Sequence, residues 1–220
     1  MEISVSSEIK RYVPRVALGT ISYTVEVEKS NTKLLEHFEK AVIELQNQYK
    51  LENIAEIPHI KETRNAYKAL GKSPSQYRNA AEAMLRRIVK GNGLYHINNV
   101  VEINNLISVT SGYSVGSYDI GCIFGNAELR RAPDGEKYKG IGKDAVNIEH
   151  LPVLYDEEGA FGNPTSDSRR AMIQDGKRKV ISFIYAFDYE KDELDNWLTK
   201  YRKLLELYTD ASDICIDVRL

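Results

Sequence analysis

The two ends of the chain carry segments in which apolar and polar residues alternate. Val16–Val27 repeats with a period of two and is rich in β-branched and aromatic side chains, which predicts a strand. Lys179–Phe187 predicts a second strand, and Ile214, Ile216 and Val218 alternate in a third. Because these segments come from both ends of the chain, we expect a mixed sheet assembled from distant parts of the sequence.

Between residues 31 and 110 the apolar residues recur at helical spacing instead, and the same spacing returns near the C-terminus. Side-chain N-caps, prolines in first turns and glycines beyond last turns predict where these helices begin and end. The expected helices are 34–49 behind Ser30-Asn31, 58–70 from Pro58 to a cap at Gly71, 74–88 behind Ser73 with Gln76 completing a capping box, 97–109, and 194–208.

The helix expected over 97–109 brings polar residues onto an apolar stripe. Asn104 and Ser108 share their face with Val100, Val101 and Ile107. A buried polar side chain is costly unless it is hydrogen-bonded. We therefore expect Asn104 and Ser108 to find partners in a neighbouring element.

The middle of the chain consists of short β-like runs separated by turn residues. The runs are Ile120–Phe124, Ala127–Arg130 and Leu151–Tyr155, with Pro133-Asp134-Gly135 between the last two. Strands and helices do not alternate strictly along the chain, and a helical block is flanked by β segments. This order favours an α+β fold over a doubly wound sheet.

Composition and charge narrow the class of protein. At 220 residues the chain fits a single domain, residues 1–220, and 30 basic against 32 acidic residues give a net charge of −2. This near-neutral charge lacks the strong basic excess of proteins that bind phosphates indiscriminately, so we expect no DNA binding. Any RNA contact should use a local basic patch. Cys122 and Cys215 form no CxxC pair, and neither a leader nor an apolar span is evident, so we expect a reduced, cytoplasmic protein without membrane contact.

Motifs for common cofactors are missing from the sequence. The four histidines never stand at HxxxH or HExxH spacing, and neither a P-loop nor a GxGxxG turn after a strand is present. We therefore expect no metal and no nucleotide cofactor.

A basic stretch on the helices after residue 58 is the first candidate for function. Its cations and tyrosines are able to contact phosphates and to stack on bases. Glu62 and Glu82 dilute its charge, so an ordinary salt-bridged surface is the alternative. The residues concerned are Arg64, Tyr67, Lys68, Arg78, Arg86, Arg87 and Lys90.

The second candidate is the glycine-rich loop over residues 159–170. Asn163, Ser166, Asp167 and Arg170 bring amide, hydroxyl, carboxylate and guanidinium groups close together, which suits the lining of a pocket. Alternatively, the same polar side chains hydrogen-bond their own backbone in turns. For Asp119 and Glu136 the same two interpretations are open, a place in a pocket or a structural role in a turn.

Three segments, in order, resemble a known family. The first is Arg64-x-x-Tyr-Lys-x-x-Gly-x-x-Pro-x-x-Tyr-Arg78, and the second joins Glu102-x-x-Asn105 to Tyr118-Asp119 and to Arg130-x-Ala-x-x-Gly-Glu136. The third is Leu154-Tyr-Asp156 leading into Gly159-Ala-Phe-Gly162. Together, over about residues 60 to 170, they resemble the B3/B4 domain of phenylalanyl-tRNA synthetase β subunits, standing alone.

The resemblance implies a three-layer α+β domain with mixed sheets, including an unusual β-sandwich, and a cleft that hydrolyses misacylated tRNA. Two departures stand out: Gly116 replaces a histidine of the bacterial pattern, and Pro164 lies near the place of its editing glutamate. The class II synthetase motifs are missing, so we expect no aminoacylation.

On this hypothesis tRNA or aminoacyl-tRNA is the partner, and the cleft holds its charged end. A non-catalytic domain that binds RNA or an amino acid is the alternative. The expected catalytic residues are Glu136, Thr165, Ser166 and Asp167, and the expected substrate or RNA contacts are Arg64, Tyr67, Lys68, Arg78, Asn105, Tyr118, Asp119, Asn163 and Arg170.

Overall fold

The protein is described here by a computed structural model that covers residues 1–220, apart from the side chain of Lys143. Its helices are α1 (Ser7–Tyr12), α2 (Thr32–Gln48), α3 (Pro58–Leu70), α4 (Ala80–Val89), α5 (Asn99–Ser111) and α6 (Lys191–Tyr208). Its strands are β1 (Ile3–Val5), β2 (Ala17–Val27), β3 (Ser114–Asp119), β4 (Ala127–Arg131), β5 (Lys137–Gly140), β6 (Lys143–Asn147), β7 (Pro152–Asp156), β8 (Gly159–Gly162), β9 (Gly176–Ala186) and β10 (Ser212–Arg219).

The central sheet has the order β10-β2-β9-β3 and is antiparallel throughout. Strand β2 pairs along its full length with β9, from Ala17 opposite Ala186 to Val27 opposite Gly176. The expected sheet from both ends of the chain is therefore confirmed, although all its pairs are antiparallel.

A second sheet, β1-β4-β7-β8, is mixed because β1 runs parallel to β4 while the other pairs are antiparallel. Strands β5 and β6 form a separate hairpin. None of the helices in the described residues combines the length and apolar character that a membrane crossing requires.

The central sheet is buried on both faces, which produces three layers. On one face Leu18, Phe183 and Tyr185 pack in a common core with residues of the second sheet such as Leu129 and Phe161. On the other face β-strand side chains pack against α5 and α6: Ile21, Tyr23, Val25, Val180 and Ile184. Alternate side chains of β2 and β9 thus pack into two different cores, one on each face of the sheet. The three-layer α+β fold is confirmed.

Helix α4 begins later than the sequence predicts. The segment 73–79 forms turns, and the side chain of Asn79 caps the helix by accepting a hydrogen bond from the backbone N–H of Glu82 at 2.9 Å. The proposed start at Ser73 is therefore wrong. Asn79 is an equally good N-cap, and its neighbour Ala80 donates its N–H to the carbonyl of Pro164, which fixes the helix start by a tertiary contact.

The strand expected over Ile120–Phe124 is also wrong. Residues Ile120–Cys122 form a 3-10 turn, because the side chain of Asp119 accepts the N–H of Gly121 at 2.9 Å and closes the chain on itself. The strand β3 lies just before this turn.

The polar residues on the apolar face of α5 do have partners. Asn104 donates to the carbonyl of Val115 at 3.1 Å and accepts the hydroxyl of Ser117 at 2.9 Å. Ser108 donates to the carbonyl of Tyr113 at 2.8 Å. Both hydrogen bonds to backbone attach α5 to β3 and the residues before it, as the sequence led us to expect.

His59 connects α3 to α6 and makes stability depend on pH. Its ring is nearly enclosed and hydrogen-bonds Glu62 at 2.8 Å and Glu193 at 2.9 Å. Burial lowers the pKa of His59, but the two carboxylates outweigh it and the net pKa is raised. A raised folded pKa gives stabilisation that is complete below the unfolded pKa, near 6.5, and that is lost as pH rises through the folded pKa.

We expect His59→Gln to lower the free energy of unfolding by about 2 kcal/mol at pH 6, the usual size for hydrogen bonds to charged groups. The difference from the parent should shrink toward pH 9. Urea unfolding across this range measures it, with exposed His96, which pairs with Glu39 at 3.0 Å, changed to Gln as the control. Parallel pH profiles for the parent and His59→Gln would contradict the expectation.

Candidate functional site

The loop over residues 163–168 is held in shape by the side chain of Asn163. Its oxygen accepts the backbone N–H groups of Thr165 at 2.7 Å and Ser166 at 3.0 Å, and its amide donates to the carbonyl of Ser166 at 3.1 Å. This is the turn chemistry that the sequence left open as an alternative. We call residues 163–168 the site loop.

Neighbouring elements hold the site loop on several sides. Thr165 exchanges a hydrogen bond with the hydroxyl of Tyr67 from α3 at 2.8 Å, and Asp167 accepts the N–H of Ile141 on its carbonyl at 3.1 Å. The hydroxyl of Tyr138 on β5 donates to the carbonyl of Ser166 and accepts from Asn163. The loop is thus a rigid support rather than a free lid.

Asp167 carries the most perturbed carboxyl group of this region. Tyr118 donates its hydroxyl to Asp167 at 2.6 Å, and Tyr185 lies 3.0 Å from the Tyr118 oxygen. Burial of the carboxyl group raises the pKa of Asp167 to about 6, against the hydrogen bonds from Tyr118 and from the Asn163 backbone, which lower it. This acid therefore changes its charge near pH 6.

Two glycines make room for the ring of Tyr118. A Cβ atom at Gly116 would lie 2.9 Å from Cζ of Tyr118, and one at Gly162 would lie 2.5 Å from Cε1. Distances this short are not tolerated between carbon atoms. Tyr118 therefore fills the space beside Gly116.

An open cavity of about 510 Å³ lies between the hairpin strand β5 and the edge strand β8. We call it the hairpin pocket. Its lining holds four cations and two carboxylates, so its local charge is positive although the chain is slightly acidic. The lining residues are Glu136, Lys137, Tyr138, Lys139, Glu158, Gly159, Ala160, Ser168, Arg169 and Arg170.

Two side chains of the hairpin pocket are fixed by the second sheet. Tyr155 donates its hydroxyl to Glu136, and burial together with this carboxylate raises the pKa of Tyr155. Arg170 forms a bidentate pair with Asp156, at 2.8 and 3.0 Å, and also donates to the carbonyl of Gly159 at 3.1 Å. Bidentate geometry of this kind restricts both partners.

A buried carboxylate organises the start of α4. Glu82 is fully buried and accepts hydrogen bonds from Arg64, at 2.9 and 3.1 Å, and from Arg86 at 2.9 Å. Arg78 lies farther away, at 3.9 Å, and is exposed. Within the expected basic stretch, Arg64 and Arg86 thus belong to an ion-pair network around Glu82, and Tyr67 is buried. Lys68, Arg78 and Lys90 are exposed.

Comparison with known proteins adds the family. The sequence profile of the B3/4 domain matches residues 62–195, more than half of the chain. The chain belongs to the B3/4 domain family. The resemblance read from the motifs is therefore confirmed. Among curated proteins, none matches.

This B3/4 domain is also similar to a solved structure, an N-terminal fragment of the phenylalanyl-tRNA synthetase β-subunit from Pyrococcus horikoshii. The TM-score is 0.47 and the sequence identity is 14%, over 99% of this chain and 50% of that one. The chain thus spans half the length of the fragment.

The fold of this B3/4 domain brings some of the expected site residues together. Thr165, Ser166 and Asp167 share the site loop with Asn163, and Tyr67 and Tyr118 are buried against it. Glu136 and Arg170 instead line the hairpin pocket, which the loop reaches through Ser168 and through Tyr138, whose hydroxyl bonds Ser166.

Other expected residues of this B3/4 domain lie apart from the pocket. Asp119 caps a turn, and Arg64 is engaged with Glu82. Lys68 and Arg78 are exposed, and Asn105 is half-buried on α5. Their contacts with RNA stay a prediction.

Sequence reasoning named Glu136 and Arg170 but missed other residues that shape the hairpin pocket. Tyr138 stands between Lys137 and Lys139 in an alternating run bounded by Gly135 and Gly140, which is a hairpin signal. Reading that alternation as a strand would have placed both lysines on one face and the tyrosine on the other.

Proposed function

We propose that this B3/4 domain binds the charged 3′ end of an aminoacyl-tRNA in the hairpin pocket and hydrolyses its ester. The observation that carries the proposal is the position of Glu136, whose carboxylate lines a cavity that also contains Lys137, Lys139, Arg169 and Arg170. Cations at the opening suit the phosphates next to the esterified ribose. The carboxylate supplies a base that the reaction needs.

In the proposed reaction Glu136 takes a proton from a water molecule as the oxygen attacks the ester carbonyl. The cations of the pocket stabilise the oxyanion of the tetrahedral intermediate. When the intermediate collapses, the bond between the carbonyl carbon and the ribose oxygen breaks and Glu136 returns its proton to that oxygen. The products are the free amino acid and uncharged tRNA.

The site loop acts in this proposal by positioning rather than by direct chemistry. Tyr138 lines the pocket, and its hydroxyl is held by Asn163 and Ser166 of the loop. Thr165 and Asp167 are tied to Tyr67 and Tyr118. Asn163 and Ser166 therefore fix Tyr138 as one wall against which the aminoacyl group lies, and Thr165 and Asp167 anchor the loop to α3 and β3.

Replacing the base tests the proposal. We expect Glu136→Gln to slow release of amino acid from a susceptible aminoacyl-tRNA about 10²-fold, the lower end of the range for a general base. The amide oxygen of Gln still accepts the Tyr155 hydroxyl, so the substitution removes the base and keeps this hydrogen bond. The assay follows radiolabelled amino acid from correctly and wrongly charged tRNAs, including tyrosine on phenylalanine tRNA. Glu44→Gln, on the exposed face of α2, is the control.

Release no faster than spontaneous hydrolysis for every charged tRNA would overturn the catalytic proposal. The alternative is a domain that binds the charged end without hydrolysing it. Its support is that Asn163, Thr165 and Asp167 are all engaged in internal hydrogen bonds. Binding of charged tRNA without release would favour this alternative.

A further inference from the structure

A second open cavity, of about 560 Å³, follows the outer face of α4. We call it the α4 groove. Four of its lining residues are cations and none is an acid, within the part of the chain that the structure describes. Its lining residues are Leu51, Gln76, Arg78, Ala83, Arg86, Arg87, Lys90 and Asn92.

The cations of the α4 groove form a row along one side of the helix. Lys90 stands three residues after Arg87 and four after Arg86, and Arg86 is next to Arg87, so the three lie within about a third of the helix circumference. Arg78 extends the row beyond the helix start. In a chain whose net charge is −2, such a row is a local positive surface that attracts a polyanion.

Part of this charge is available to a ligand. Arg86 is held by the buried Glu82, but among the described residues neither Arg87 nor Lys90 pairs with a carboxylate. Arg87 is partly exposed and donates one N–H to the carbonyl of Asn92 at 3.2 Å, and Lys90 is exposed. The charges of these two residues are therefore open to phosphate oxygens.

An exposed aromatic ring lies beside the row. The guanidinium of Arg87 lies over the ring of Tyr95, 4.3 Å from its centre, and 68% of Tyr95 is exposed. A cation row next to an exposed aromatic ring is the combination by which proteins bind single-stranded nucleic acid, with phosphates on the cations and a base stacked on the ring.

We propose that the α4 groove and Tyr95 bind a single-stranded segment of RNA. Arg78, Arg87 and Lys90 contact its phosphates, and Tyr95 stacks on a base. The N–H of Ala80, at the start of α4, bonds the carbonyl of Pro164, so the helix that carries these cations is attached directly to the site loop. That the RNA is the charged tRNA rests on the proposed function; RNA binding itself does not.

The test measures anisotropy of a labelled 12-nucleotide single-stranded RNA and of uncharged tRNA at 50 and 200 mM salt. For Arg87→Gln/Lys90→Gln we expect at least tenfold weaker binding at 50 mM salt. The slope of log affinity against log salt should fall by about 1.4, the value for two phosphate contacts on a single strand. Tyr95→Ala should weaken binding about tenfold and leave the slope unchanged, because stacking carries no charge.

The matched control is Lys200→Gln/Lys203→Gln, two lysines on α6 that lie far from α4 in sequence and line a different cavity. Equal losses in the control and the α4 variant, or none in the α4 variant, would overturn this inference. If the protein hydrolyses aminoacyl-tRNA while the α4 variants bind RNA normally, RNA binding by the α4 groove is wrong and the proposed function stands. If RNA binds through α4 but no ester is released, the proposed hydrolysis is wrong and RNA binding by the groove stands.

Discussion

The variant Asp167→Asn is expected to be more stable than the parent at pH 7, by up to about 3 kcal/mol. Burial raises the pKa of Asp167 from 3.8 to about 6. Ionising this carboxyl group therefore costs more free energy in the folded protein than in the unfolded chain. Because the folded state binds the proton more tightly, stability falls as pH rises from about 4 to 6. An uncharged amide avoids that loss.

Urea unfolding of the parent and the variant between pH 4 and 8 measures this effect. The advantage of Asp167→Asn should be absent at pH 4 and complete above pH 7. Asp156→Asn supplies a control of opposite sign: despite its burial, the pKa of Asp156 is lowered by Arg170 and by backbone N–H groups, so this variant should lose stability at pH 7. A variant of Asp167 that is destabilised at pH 8 would refute the burial argument.

The cost of Asp167 also bears on function. A carboxyl group that weakens the fold at neutral pH and changes charge near pH 6 matches the behaviour of groups at functional sites, although structural networks produce it too. The stability measurement and the release assay together separate these cases. Loss of release in the stabilised Asp167→Asn protein would assign the acid to the site.

A larger loss is expected from Gly162→Ala, which should lower the free energy of unfolding by about 4 kcal/mol. The new methyl group would collide with the ring of Tyr118, which is fully buried and held by Asp167 and Tyr185. Overpacking of this kind costs about 1–3 kcal/mol, and displacing the hydroxyl from Asp167 adds the loss of a hydrogen bond to a charged group.

Gly121→Ala is the matched control for this substitution, since among the described side chains a Cβ there would meet only that of Asp119, at 3.2 Å. Denaturant unfolding compares the two variants, and near-ultraviolet circular dichroism reports the packing of the tyrosines. Equal stability of the two variants would mean that Tyr118 can be moved at little cost, and the close packing around it would lose its importance.

Long, strongly periodic elements were predictable from the sequence. The alternation in β2 and β9 and the capping residues Asn31 and Gly71 gave bounds within a few residues of those in the structure. The short elements were not, because β1, β5 and β8 have three or four residues each and too few positions to show a period. Their pairing depends on partners that are distant in the sequence.

The candidate site was predictable only in its parts. Residues of the site loop stand close together in the sequence, so their proximity could be inferred. Glu136 precedes β5 and Arg170 follows the site loop, and contacts between distant segments, such as the pairing of Gly140 with Ser168, bring them to one cavity. The burial of Tyr118 could not be inferred either, since nothing in the sequence shows that Gly162 faces its ring.

The strand pairing in the central sheet limits where this domain can be truncated. The family match over residues 62–195 contains β9 but not β2, its partner along eleven register positions. A fragment with those limits would lose the apolar face formed by Ile21 and Tyr23 and would leave β9 with an open edge, which invites aggregation. The cooperative folding unit is therefore larger than the segment by which the family is recognised, and expression boundaries should follow the sheet.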